Sequence, residues 1–171
     1  ADPEAVAIAE AAGMGNEFGG LVGGKVDRLH GEPVHVEGRV TLLTDGRYRH
    51  TSSYMTGYET SMGRTAVIQV GGIRIVLTSL RTMPFDAGQL HAVGIDPVGA
   101  GIIVAKSAIA WRAAYGSIAR QAITIDSPGI ATSNLARLSY DKRPRPLYPL
   151  DQEGFGDYYA VKSSGRINQS Y

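Results

Sequence analysis

The apolar and polar positions change period twice along the chain. Residues 1–13, "ADPEAVAIAEAAG", follow a helical pattern with a good entry: Asp2 can cap, Pro3 suits the first turn and Glu4 complements the helix dipole. Gly13 is a natural stop. A glycine-rich loop with Lys25, Asp27 and His30 follows. In "VHVEGRVTLLTDGRYRH" the period drops to two, with Val34, Val36, Val40 and Leu42 on one face. Asp45-Gly46 predicts a hairpin turn there. The polar, tyrosine-rich stretch 51–64 reads as a long loop. "TAVIQVGGIRIVLTS" predicts a second hairpin turning at Gly71-Gly72, whose second strand, Ile73–Thr78, is nearly all β-branched or apolar and is expected to be buried.

Beyond Thr78 the pattern alternates between elements. "PFDAGQLHAVG" predicts a short helix started by Asp86, and "GIIVAK" a strand. "SAIAWRAAYGSIA" predicts a helix capped by Ser107, with Trp111, Ala114, Tyr115 and Ile118 as its inner stripe, and "QAITID" another strand. Residues 73–126 thus read strand, helix, strand, helix, strand. The fold class expected is α/β: a mixed sheet of N-terminal β-hairpins followed by a parallel β-α-β-α-β unit. The proline-rich "RPRPLYPLD" cannot continue a sheet interior. The organisation expected is one domain over 1–151 and a polar C-terminal tail over 152–171.

Bulk properties narrow the function classes. The chain has 171 residues, enough for one domain with a real core, and a formal net charge of +1. That charge offers no reason to expect a nucleic acid or an acidic membrane as partner. The absence of cysteine excludes disulfides and thiolate metal sites. No apolar run is long enough for a membrane helix and no export signal is visible, so a cytoplasmic protein is expected. The helix at the start carries neither an initiator Met nor a leader, which suggests a fragment of something longer.

Candidate chemistry depends on the expected topology. In an open α/β sheet, ligands bind beyond the carboxyl ends of the strands. Those ends carry Thr78, Ser79 and Arg81, then Lys106 and Ser107, then "DSPG" from Asp126. Arg81 can fork a carboxylate or phosphate and Lys106 adds a point charge, so the rim reads as an anion cradle. A plainer reading stands beside it. Ser107 only caps its helix, Lys106 is exposed in a loop, and Arg81 pairs with Asp86 or Asp96. Metal chemistry is weaker: His30, His35, His50 and His91 form no HExxH pair and have no carboxylate at ligand spacing. A nucleophile elbow and a P-loop are both absent. Tyr48, Tyr54 and Tyr58 either line a ligand mouth or pack the polar loop onto the sheet, and "KRPRP" reads as a solvated linker.

Several strings, taken in order, resemble the C-terminal domain of the MlrC-type metallopeptidase family, the group named for microcystin-degrading proteins. They are "GGKVDRLHGEPVHVEGRV", "VLTSLRTMPFD", "GIDP", "IIVAKSAIAWRAAYGSIA", "ITIDSPGIATSNLARLSY" and "RPLYPLD". The resemblance runs from about Ala1 to Asp151. It implies a bacterial, two-part protein whose larger N-terminal domain carries most or all of the zinc ligands, with this domain closing over it. The implied reaction is zinc-dependent hydrolysis of a small peptide or related amide. Ser79, Arg81, Lys106, Ser107 and Arg112 would then bind the substrate, and neither a catalytic residue nor a metal ligand is assigned to this chain. Relatives commonly read His, aromatic, Arg after the Lys-Ser pair; here the positions are Ala110, Trp111 and Arg112. If that histidine serves the substrate in relatives, activity differs here; if it is structural, Trp111 fills the space. The alternatives are a non-catalytic scaffold that builds a homodimer or oligomer, and an independent anion-binding module.

Overall fold

The structure, a computed structural model, describes residues 1–27, 29–127, 134–142 and 146–151. Residues Ala1–Ile125 form one compact unit and Asp126–Tyr171 a second.

The first helix forms as its caps dictate. In α1 (Pro3–Ala12) the Asp2 carboxylate accepts from the Ala5 N–H, and Gly13, at φ +81°, ends it with its N–H bonded to the Ala9 carbonyl. The apolar stripe Ala5, Val6 and Ala9 lies against a four-stranded sheet. That sheet consists of β1 (Glu17–Val22), β2 (Val34–Thr44), β5 (Thr65–Val70) and β6 (Ile73–Thr78), in that spatial order. Every pairing in it is antiparallel. Between β2 and β5 the chain leaves the sheet to form a small ribbon, β3 (Arg47–Arg49) paired with β4 (Glu59–Ser61).

Each face of the sheet carries its own core. Under α1, Phe18, Val40, Ala66, Ile68 and Leu77 are buried with the helix stripe. On the other face, Val67 packs with Tyr48, Met62, Val93 and Ile95, with Leu42 and Val76 partly buried beside them. A fully buried Val, Leu, Ile or Phe contributes about 1.5–3 kcal/mol over leaving it exposed, so these two layers hold the unit together. Alternation along β5 serves both: Ala66 and Ile68 face α1 while Val67 faces the second cluster.

Several expectations are corrected here. The parallel β-α-β-α-β unit is absent, because the sheet is wholly antiparallel and ends at β6. Residues 101–106 and 121–126 form no ladder, and the helices near them are single turns, α2 (Gly88–His91) and α3 (Trp111–Tyr115). A parallel crossover needs a dozen or more residues of connecting structure packed on the sheet, which these turns do not provide. The Asp45-Gly46 turn is real, with Gly46 at φ +65° and the Arg47 N–H on Asp45 Oδ1, but it turns the chain out of the sheet instead of folding β3 back on β2. The stretch 51–64 is not all loop, since it contains β4. Leu42 does not share a face with Val40: a bulge between them shifts the phase, and Leu43 takes the place on the α1 side. The buried strand of the second hairpin is β5; β6 lies at the sheet edge with only Leu77 buried. The hairpin itself forms as expected, with Val70 opposite Ile73 and Gly71 at φ +54°.

In the second unit, Asp126 accepts from Asn134 Nδ2 at 3.0 Å and pairs with Arg137 at 2.9 Å beside a 3-10 turn at Leu135–Arg137. Pro128 and Gly129 of "DSPG", residues 143–145 of the proline-rich stretch and the tail 152–171 lie outside the described residues.

Candidate functional site

The start of α1 docks on the end of β6, where the Asp2 N–H donates to the Thr78 carbonyl at 2.8 Å. That contact brings the residues just after β6 to the same corner as Ala1. Burial is the main cause that holds the Ala1 amine below its ordinary pKa; the positive charges of Lys106 and then Arg81 add to it. Lys106 and Arg81 thus each lie within electrostatic range of Ala1, although they stand 25 residues apart in the chain and the parallel sheet expected to bring them together is absent. Both side chains are exposed, and neither forms an ion pair among the described residues. Asp86 and Asp96, the partners considered for Arg81, are engaged elsewhere: Asp96 accepts from the Val98 N–H at 3.0 Å and Asp86 from backbone N–H groups. Lys25 joins this corner through Asp2 at 2.8 Å and Glu4 at 3.7 Å.

The other rim residues are arranged differently. Ser79 is half-buried, its N–H on the Arg64 carbonyl at 2.9 Å and its hydroxyl backed by Gly63. Ser107 Oγ accepts from the Ala110 N–H at 2.9 Å in the turn that leads into α3; it does not cap that helix, whose N-cap is Ala110. Arg112 holds its guanidinium 5.6 Å from the ring centroid of Trp111, a cation–π contact. Ala110 occupies the turn just before α3 and is half-buried.

A second polar cluster was not visible in the sequence. Asp86 is fully buried and accepts from the N–H groups of Thr51, Ser52 and Gly88 at 2.9, 2.8 and 2.6 Å. Burial alone would raise its pKa, but the bonds from Ser52, Gly88 and Thr51 override this and hold the carboxyl far below the usual carboxylate range. His50 stacks on Phe85 with centroids 5.0 Å apart, and its Nε2 lies 2.7 Å from Thr60 Oγ1. Tyr48 is buried edge-on to His50, its hydroxyl accepting from Gln89 Nε2 at 3.2 Å. Burial, and after it the Asp86 charge, pushes Tyr115 of α3 above the ordinary tyrosine range. Of the three tyrosines, Tyr48 is buried, Tyr54 is exposed but meets the Phe85 ring edge-on at 5.0 Å, and Tyr58 is exposed. One signal was available, Asp86 as a helix starter, but Ala87 is the residue that caps α2, and Asp86 instead accepts from Gly88 in the turn before it.

Among the described residues no group of three or more His, Asp or Glu side chains is placed to hold a metal. The histidine–carboxylate pairs present, His50–Asp86, His30–Asp27 and His35–Glu37, offer two donors each, and the Asp86 oxygens are already occupied by N–H groups. This chain's described residues therefore do not fit a zinc site, which needs three or four ligands. Among the described residues no helix is long and apolar enough to cross a membrane.

Comparison with known proteins agrees with this fold. The chain is 29% identical over 150 residues to Microcystinase C of a Sphingomonas species, an alignment covering 88% of this chain and 28% of the relative. A crystal structure from Mesorhizobium sp. BNC1, described as a "Putative metallopeptidase", superposes with a TM-score of 0.73 at 29% identity, covering 88% of this chain and 30% of that one. The chain thus spans less than a third of the length of either. The model of the family described as "MlrC C-terminus" matches residues 1–142, and the chain belongs to that family.

Proposed function

We propose that this chain, over residues 1–151, is the substrate-facing C-terminal domain of a cytoplasmic, zinc-dependent hydrolase of small peptides or related amides, with the metal ligands mainly on the polypeptide that precedes it. The observation that carries this reading is that Arg81 and Lys106, two exposed cations without ion-pair partners among the described residues, both lie within electrostatic range of Ala1 in a domain of this family. A guanidinium fork and an ammonium point charge suit a substrate carboxylate or a developing oxyanion. Ser79 and Ser107 flank them in sequence, and Arg112 supplies further donors. The zinc is assigned to the preceding polypeptide by the resemblance to the family.

The test uses the full-length gene product. Arg81→Ala and Lys106→Ala should each lower kcat/KM for a small peptide substrate by about 2–4 kcal/mol of transition-state stabilisation, with zinc content unchanged. Unchanged turnover in both variants sinks the cradle.

A scaffold role is the second reading, favoured by the apolar exposure of Tyr54, Met55 and Tyr58 on the loop that Asp86 anchors. Deleting residues 51–64 would also remove β4, so the cleaner test is Tyr54→Ser with Tyr58→Ser, read by size exclusion. Loss of assembly with turnover intact favours the scaffold.

A further inference from the structure

The unit 1–125 leaves two apolar segments uncovered. Along 101–106, Ile102 and Val104 are 87% and 88% exposed, while Ile103 and Ala105 between them are half-buried. Along 121–125, Ile123 and Ile125 are 78% and 76% exposed. Among the described residues, the backbone of 101–106 makes one hydrogen bond, Ala105 accepting from Ser107, and that of 121–125 makes none. Alternating β-branched side chains with unpaired N–H and C=O groups are what a strand offers before its neighbour arrives. Soluble chains rarely leave such a combination facing water.

We infer that residues 102–105 and 121–125 are the docking surface of this domain for the polypeptide that precedes it in the longer relatives, which receives them by main-chain pairing and covers Ile102, Val104, Ile123 and Ile125. The occupant is argued from length: 70% or more of each relative lies outside the aligned part, and the matched family is the C-terminus of its proteins. Strand addition takes affinity from the backbone and specificity from alternate side chains, and these segments supply both. Lys106, which follows the first segment directly, would thereby be fixed at the boundary between the two parts. The inference rests on the proposed function only for the existence of a preceding domain.

Hydrogen exchange tests it without reading activity, so its failure is distinguishable from failure of the hydrolase reading. In the 171-residue chain the amides of 102–105 and 122–125 should exchange as open peptide. With the preceding polypeptide of the gene product present, in cis or in trans, they should slow by roughly 100-fold, while the Ala66–Ile68 amides are slow throughout. Val104→Asp and Ile123→Asp should weaken association in trans by about tenfold or more, and Ile73→Asp, on the exposed edge of β6, should not. Slow Ala66–Ile68 amides in each variant verify folding. Three results overturn the inference. One is unchanged exchange with the preceding polypeptide present. Another is concentration-dependent protection in the chain alone, which makes a second copy the occupant. The last is concentration-independent protection, which assigns the cover to the chain's own residues.

Discussion

His50 Nδ1 stands 3.5 Å from Oδ2 of Asp86, and neither side chain has any solvent exposure. Asp86 joins the loop after β3 to the turn before α2, since its oxygens accept from Thr51 and Ser52 on one side and Gly88 on the other. Replacing it with Asn keeps one acceptor but turns an amide donor toward N–H groups. Asp86→Asn should cost about 2–3 kcal/mol at pH 7, read as a lower urea midpoint. The folded carboxyl titrates below its unfolded value, so its contribution is complete above about pH 4 and is lost as pH falls further. The gap between wild type and Asp86→Asn should therefore narrow on acidification from pH 5 toward roughly pH 2. A gap that is constant over that range contradicts the assignment.

Gly63 stands at φ +69°, and a Cβ there would run into Ser79 Oγ and come within 2.7 Å of Leu80 Cγ. Backbone and contact therefore both oppose a side chain. Gly63→Ala should destabilise by about 1–3 kcal/mol. Gly72 has open space around its Cβ position and no positive φ, so Gly72→Ala should fall within about 0.5 kcal/mol of wild type. Similar thermal midpoints for the two variants would refute the close packing between Gly63 and the end of β6.

Ile68 and Ile73 occupy the two strands of one hairpin, yet Ile68 is fully buried while Ile73 is 64% exposed. Ile68→Ala should cost about 2–5 kcal/mol in urea unfolding, and Ile73→Ala under about 0.5 kcal/mol. The reverse order would restore β6 as the buried strand, as its composition had suggested.

The contrast between these two strands shows what kind of structure the sequence makes legible. The hairpin was readable because its turn and both alternating runs are adjacent, and α1 because Asp2, Pro3 and Gly13 act within one turn. Burial of β5 over β6 depends on which strand receives β2, a choice made by residues 21 to 30 positions away. The phase slip after Val40 leaves no mark in the residue types, since Thr41 and Leu42 continue the alternation. His50 and Asp86 are 36 positions apart, and nothing local ties them together. The stretches 101–106 and 121–126 were misplaced for a related reason: apolar alternation reports that a strand wants a partner, not which chain segment provides it. Arg81 and Lys106 both bear on the charge of Ala1 without a shared parallel sheet, and the docking of α1 on β6 brings the residues just after β6 to the Ala1 corner.

Asp2 joins three parts of the first unit, accepting from the Ala5 N–H at 3.0 Å, the Gly23 N–H at 2.9 Å and Lys25 Nζ at 2.8 Å. Burial would raise its pKa, but the Lys25, Ala5 and Gly23 bonds prevail and leave it below the ordinary value. Asp2→Ala removes the helix cap and leaves the Gly23 donor without its acceptor, a loss of about 2–3 kcal/mol. Lys25→Met removes only a partly exposed ion pair and should cost about 0.5–1 kcal/mol. Asp2→Asn retains an acceptor for the cap and should fall between them. The depressed carboxyl contributes stability above about pH 4 that disappears as pH falls through its folded value. The Asp2→Asn deficit in urea should accordingly be larger at pH 7 than at about pH 3. If Lys25→Met proves as costly as Asp2→Ala, the charge pair and not the cap holds α1 to the loop, and the corner that carries Arg81 and Lys106 is built on that pair.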